Sequence, residues 1–264
     1  MSHISRKLGQ FDYFDIQLRH PSWPGKFVLD FGGNSGNILK TPLPRIDEEK
    51  YCCIDVSPDG IAEGKRTFPK ANWILSDRYN ISFNPAGSKS ANIPPTPHLF
   101  DYILAYSVFT HIDVAEMDEI TSELMTRLKP GGAFAFTFID PFHISWPDED
   151  PVTNLQWRLN RMKLESGGAA LAPPADLADA EWFRLAGKDF YLADEPIPHP
   201  ERYEGQAYHV FHTAEFMRRH FPTAEILPPA NYEMQHCCVL RNDARSERTE
   251  ISSLADAGLS GSRE

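Results

Sequence analysis

The residues best suited to chemistry begin with Asp30-Phe31-Gly32-Gly33-Asn34-Ser35-Gly36, which follows the apolar run KFVLDF. Glycines directly after a buried strand let the chain turn sharply and let its backbone approach a ligand that a side chain would block. Residues 27–39 therefore predict a strand, a glycine-rich turn and the start of a helix, arranged to hold a cofactor. A dinucleotide site prefers G-x-G-x-x-G, with the pyrophosphate on the amides of the following helix, and that pattern is absent. A cofactor without phosphates makes no such demand, and a carboxylate just ahead of the turn suits a ligand that carries an ammonium group. Asp30 stands there.

Holding such a turn requires a sheet behind it. KFVLDF (26–31), YCCIDV (51–56), NWILS (72–76), FDYILAY (100–106) and AFAFTFI (133–139) are short apolar runs without clean alternation, as expected of strands buried on both faces. Helices fall between them. Ser57 is a candidate N-cap with Pro58 in the first turn, and residues 113–128 repeat apolar side chains at three- and four-residue steps until Lys129-Pro130-Gly131-Gly132. Residues 84–98, rich in Pro, Ser and Asn, read as a long loop. Thr213 heads a further helix to residue 220, and AEIL with the run 236–240 completes the core. This alternation argues for a doubly wound, mostly parallel sheet with crossover helices on both faces.

The rest of the chain divides around that core. Residues 1–25, with Phe11, Tyr13 and Phe14 ahead of Pro21 and Pro24, read as an N-terminal cover segment for a core at 26–140. From 141 to 205 the strand rhythm breaks: prolines are dense, one amphipathic helix is expected at 154–165, and Trp146, Trp157, Trp182, Phe183, Phe190 and Tyr191 look exposed. A segment of this length predicts a lid over a substrate. Residues 206–241 end the core, and the polar tail 242–264 is expected to be disordered.

Taken together, VLDFGGNSGNIL, YCCID, FDYILAYSVFTHI and LKPGGAFAFTF resemble the successive motifs of the class I S-adenosylmethionine-dependent methyltransferases, and YHVFHTAEFMRRHF with QHCCVLR is similar to their last helix and strand. The first motif departs from the family's D/E-x-G-x-G-x-G at Asn34, a residue that tolerates left-handed backbone angles. The resemblance implies a Rossmann-like sheet of about seven strands, with S-adenosylmethionine bound by Asp30, Gly32, Gly33, Asn34 and Gly36. It further implies that Asp55, with Val56 and Ser57 beside it, accepts from the ribose hydroxyls, since a carboxylate can take two donors. By the same analogy Asp77 meets the adenine amino group, Arg78 or Tyr79 lies against the ring, Tyr106 lines the pocket and Tyr13 closes over it. A general base, if the reaction uses one, would project beyond strands four and five, where His111 and His143 are the candidates; Tyr106, His209 and His212 are weaker candidates for substrate contact.

Composition narrows the acceptor. A formal charge of −11 over 264 residues opposes binding to a polyanion, because nucleic-acid affinity comes largely from Lys and Arg neutralising phosphates. The N-P-P-[YF] motif of enzymes that methylate base or glutamine nitrogens is absent, the fourth strand running into AYSV. A small apolar or aromatic metabolite, methylated on oxygen or nitrogen, is the expected acceptor, with ring closure or elimination on the same cofactor, or a catalytically silent binding protein, as the alternatives. The four cysteines form two adjacent pairs without C-x-x-C spacing, so no metal is expected, although Asp140 at the end of strand five is a carboxylate in the right region. With neither an apolar leader nor a run of about 18 apolar residues, the chain is expected to be a cytoplasmic monomer or homodimer with no membrane partner.

Overall fold

A computed structural model describes residues 9–41, 45–80, 83–90, 92–145, 152–158, 182–185, 209–230 and 234–243. Five parallel strands form the centre: β1 (Val28–Phe31), β2 (Tyr51–Asp55), β3 (Asn72–Leu75), β4 (Phe100–Ala105) and β5 (Leu128–Phe138). Short ladders join β6 (Ile144–Ser145) to β7 (Val152–Thr153) and β8 (Trp182–Leu185) to β9 (His209–His212). β10 (Glu225–Leu227) and β11 (His236–Arg241) complete a seven-stranded sheet in the order β10-β11-β5-β4-β1-β2-β3, with β11 antiparallel to both its neighbours. The strand order reverses between β1 and β4, and ligands of open α/β sheets bind outside the carboxyl ends at such a reversal.

Alternation along β5 shows how the two faces differ. Phe134, Phe136 and Phe138 point to one side, where α3 (Val114–Met125) and α4 (Ala214–His220) cover them with Met117, Ile120, Leu124, Phe216 and Met217. Ala133 and Ala135 point to the other, and with Cys53 and Cys237 they leave room for the large side chains of α1 (Gln10–Gln17). Phe11, Tyr13, Phe14 and Trp23 are buried there beside Ile61 of α2 (Pro58–Thr67). The N-terminal aromatics are thus core; each such side chain contributes roughly 1.5–3 kcal/mol when fully buried.

Three local expectations are corrected. After Gly33 the chain forms successive turns rather than a helix: Gly36 and Asn37 N–H donate to Gly33 O, and Leu39 and Lys40 N–H donate to Gly36 O. Pro42 and Pro44 follow too closely for a helix to propagate. Helix α3, capped by the Asp113 carboxylate on Glu116 N–H, ends at Met125 and not at residue 128, because Arg127 O accepts from Phe100 N–H and Leu128 already pairs with Phe100. For the same reason LKPGG belongs to β5 and is not a turn ahead of it. Ser57 and Thr213 do cap their helices, accepting from Gly60 N–H and Phe216 N–H. Residues 154–158 are helical, whereas 159–165, most of the expected lid and the tail from 244 lie outside the described residues.

Candidate cofactor site

A cavity of about 290 Å³ opens at the carboxyl ends of β1, β2, β3 and β4. Of the residues singled out in the sequence, Gly32, Asn34, Asp55, Val56, Arg78, Tyr79, Tyr106 and His111 line it. The turn is built for close approach. Gly32 has φ +75°, and a Cβ on it would meet Val108 Cγ2 at 2.3 Å, so any side chain would close the gap between the two loops that form the wall. Asn34 carries the left-handed angle expected of it, φ 52°.

Asp55 ends β2 with both carboxylate oxygens engaged: Oδ2 accepts from Asn34 N–H at 2.7 Å and Oδ1 from Ser57 N–H at 2.7 Å. Burial pushes its pKa up, opposed by those amides. Each oxygen has two lone pairs, so a carboxylate fixed in this way still offers acceptors to a pair of hydroxyls facing the cavity. The first turn is thereby tied to β2: loss of this one side chain leaves two backbone donors without their partner.

Asp30 is placed differently. Its carboxyl lies under the turn, 2.4 Å from where a Cβ on Gly33 would sit, and accepts from Tyr51 O–H at 2.6 Å. Burial pushes its pKa up to about 7, with Tyr51 opposing and Asp55 adding to the rise. It does not line the cavity, and neither do Gly33, Gly36, Ser57, Asp77, Tyr13 or His143. Gly36 packs on Trp73 and Phe68, and Ser57 is occupied by capping α2. Asp77 is exposed, its carbonyl accepting from Ser88 N–H, while its buried neighbour Ser76 faces the cavity. Tyr13 stands behind Tyr106, rings edge to face at 5.6 Å, and donates its hydroxyl to Gln235 O at 2.8 Å.

Arg78 is held to α3 by Glu116 (Nε to Oε1, 2.9 Å) and Glu119 (Nη1 to Oε1, 3.0 Å). Burial lowers its pKa, but the two carboxylates more than restore it, so the guanidinium clamps the loop after β3 to α3. Beyond β4, Ser107 adopts φ 60° while its N–H donates to Thr137 Oγ1 at 2.7 Å, which turns the chain so that Ser107, Val108 and His111 form one wall. His143 lies at the far end of β5, edge-on to His236. Asp140 accepts from Ala214 N–H at 2.9 Å and Phe142 N–H at 2.9 Å, anchoring the start of α4. Among the described residues no three His, Cys, Asp or Glu side chains are grouped to hold a metal, and no helix is long and apolar enough to cross a membrane. His212 is fully buried against Phe216, and burial pulls its pKa down to about 4.

Sequence reasoning missed Gln10, Phe83, Ser107 and Glu116 as lining residues, and within Ser76-Asp77-Arg78-Tyr79 it chose Asp77 where Ser76 lines the cavity. Ser76 and Ser107 carried a usable signal, each being the first or second residue after an apolar strand. Gln10 and Phe83 reach the cavity through tertiary folding, which no local pattern records.

Residues 29–134 match a protein family described as a methyltransferase domain, a span that runs from β1 into β5 and contains most of the cavity wall. The match makes residues 29–134 a methyltransferase domain. Solved structures resemble this chain along most of its length. One S-adenosylmethionine-dependent methyltransferase, from Clostridium acetobutylicum, is 12% identical over 89% of this chain and 91% of its own, with a TM-score of 0.48. A second, from Listeria monocytogenes, described as a methyltransferase of the same dependence, is 17% identical over 88% and 96%, also at 0.48. The N-methyltransferase NodS of Bradyrhizobium japonicum, solved with S-adenosyl-L-homocysteine, is 12% identical over 88% and 85%, at 0.44.

Proposed function

We propose that the methyltransferase transfers the methyl group to oxygen or nitrogen of a small, largely apolar acceptor, with Asp55 holding the cofactor ribose and His111 accepting the acceptor's proton. The observation that carries this reading is the position of Asp55: a carboxylate fixed at both oxygens by backbone amides, facing the same cavity as the Gly32 turn. Gly32, Asn34, Val56, Ser76 and Tyr79 complete a cradle without the phosphate-binding glycine pattern, which fits a nucleoside cofactor. The adenine end falls to Ser76 and Tyr79 in this reading, because Asp77 faces outward.

S-adenosylmethionine held there by Gly32, Asn34 and Asp55 would supply a methyl carbon activated by a positively charged sulfur, open to displacement by the acceptor's lone pair. The chain's task is alignment, exclusion of water and disposal of the proton. His111 lines the cavity on the wall built by Ser107 and Val108. Asp30 supports the turn from below through Tyr51 and Gly33. A net charge of −11 and the lack of an N-P-P-[YF] motif favour a small molecule over nucleic acid or a protein amide.

The test is to incubate the protein with S-adenosylmethionine and fractionated small-molecule extracts, following S-adenosylhomocysteine and products heavier by one CH2 unit by mass spectrometry. Matched appearance of both is expected. Release of methylthioadenosine or another cofactor fragment, with no methylated product, contradicts the reading.

A further inference from the structure

The β3 end of the cavity holds a carboxylate supplied by a helix rather than by a strand end. Glu116 stands in the first turn of α3, lines the cavity and has a side chain only 12% exposed. A carboxylate so far from water is stable only when paired and hydrogen-bonded. Arg78 pairs it, Nε donating to Oε1 at 2.9 Å. Both partners are fixed in turn: Glu116 N–H donates to Asp113 Oδ1 at 3.0 Å, and Arg78 Nη1 donates to Glu119 Oε1 at 3.0 Å. A carboxylate presents about four lone-pair sites, more than one guanidinium takes up, so it can still accept from a group in the cavity.

The wall around it is apolar. Ile112 precedes α3, Ile120 lies one turn beyond Glu116 on the same face, and Ile93 comes from the segment before β4. Each lines the cavity and is at most 4% exposed. An apolar pocket with one fixed, charged acceptor selects a flat, largely apolar ring that carries an N–H on its edge, because an edge offering only lone pairs would meet the carboxylate with like sign.

The course of such a ring follows from the strand order. β2 and β3 are neighbours, Ser76 N–H donates to Asp55 O at 2.9 Å, and Arg78 follows Ser76 by two residues and reaches Glu116. The opposite side of Asp55 is taken by the first turn, whose Asn34 N–H donates to Oδ2. A base attached to a ribose at Asp55 therefore extends past Ser76, which lines the cavity with a hydroxyl side chain, toward Glu116. Asp77 takes no part: it is exposed, does not line the cavity, and its carbonyl accepts from Ser88 N–H.

We propose that Glu116 is the specificity-determining acceptor for the exocyclic amine of the cofactor's adenine, held in place by Arg78. The proposal rests on the methyltransferase reading of the cavity and changes how the base is recognised: the carboxylate comes from α3, across the cavity, and not from the loop after β3. Cofactor selection is thereby coupled to the contact between that loop and α3, since the ion pair that joins them also aims the carboxylate.

The test is a calorimetric titration of the full chain with S-adenosylhomocysteine and with its purine riboside analogue, in which hydrogen replaces the exocyclic amine. The unaltered protein is expected to bind S-adenosylhomocysteine about ten- to a hundredfold more tightly than the analogue, the scale of a hydrogen bond to a charged group. Glu116→Ala should bring the two ligands to equal affinity, and Glu116→Gln, which keeps an acceptor without the charge, should leave an intermediate preference. Comparing two ligands on one protein cancels any general loosening of the site, so a merely structural role for Glu116 would weaken both alike. Asp77→Asn should leave the preference unchanged. If Glu116→Ala does not fold, the fall in preference in Glu116→Gln carries the test. Equal affinity of the unaltered protein for the two ligands, a preference undiminished by substitution of Glu116, or one lost in Asp77→Asn overturns the proposal. Failure of the unaltered protein to bind either ligand contradicts the methyltransferase reading itself, and the proposal with it.

Discussion

The carboxyl edge of the sheet has two halves that are built on opposite terms. At the ends of β2 and β3, Asp55 accepts two amides and Arg78 meets two carboxylates, so the polar groups are tied to the fold before any ligand arrives. At the ends of β5 and β11, Gln235 and His236 keep buried atoms without partners. A preorganised half suits a cofactor whose shape is fixed, because the cost of ordering its polar groups was met during folding.

That contrast can be broken at several points on the cofactor half. Gly32→Val should do the most damage: a β-branched residue at φ +75° with its Cβ 2.3 Å from Val108 faces both backbone strain and a clash, together about 3 kcal/mol or more, and cofactor binding should disappear with a lowered melting temperature. His111→Ala should keep cofactor affinity and lower turnover by about a hundredfold, the low end of what a general base contributes; unaltered turnover on the true acceptor returns His111 to a packing role. Arg78→Met removes the clamp between the loop after β3 and α3. With Glu116 nearly buried and Glu119 half exposed, the loss should be about 2 kcal/mol in denaturant unfolding, below that of a fully buried pair. Asp55→Ala should weaken S-adenosylmethionine by at least about ten- to a hundredfold by calorimetry, the scale of a hydrogen bond to a charged group, and an unchanged dissociation constant sinks the ribose assignment.

A further effect is one of slope. Asp30 moves from 3.8 to about 7 on folding, so between those values the folded chain holds a proton that the unfolded chain has released. Its contribution is fully present below about pH 4, falls as the pH rises through the window and levels off above 7. Asp30→Asn, which keeps an acceptor for Tyr51, should abolish that decline when unfolding free energies of the two proteins are compared from pH 4 to 8. A constant difference across the range contradicts the buried, protonated state.

Much of the first half was legible in the sequence, because strands buried on both faces are written as apolar runs and caps as single residues. KFVLDF, YCCID, Ser57 and Thr213 all sit within a residue or two of their expected places. The missing helix after Gly33 was legible too, in Pro42 and Pro44, once the reach of a helix is weighed against two prolines. What escaped depends on contacts between distant segments. The early end of α3 comes from pairing of Leu128 with Phe100, the outward turn of Asp77 from its link to Ser88, and the burial of Tyr13 from alanines on β5. Gln235 and His236 read as the polar start of an apolar strand, and only the fold shows that their side chains lack partners.

The most direct test of the account is a calorimetric titration of the protein with S-adenosylmethionine, run beside NADH. One saturable site for S-adenosylmethionine, with a rise in melting temperature that NADH does not produce, is the predicted result. Stabilisation by NADH, with no heat from S-adenosylmethionine, would contradict it.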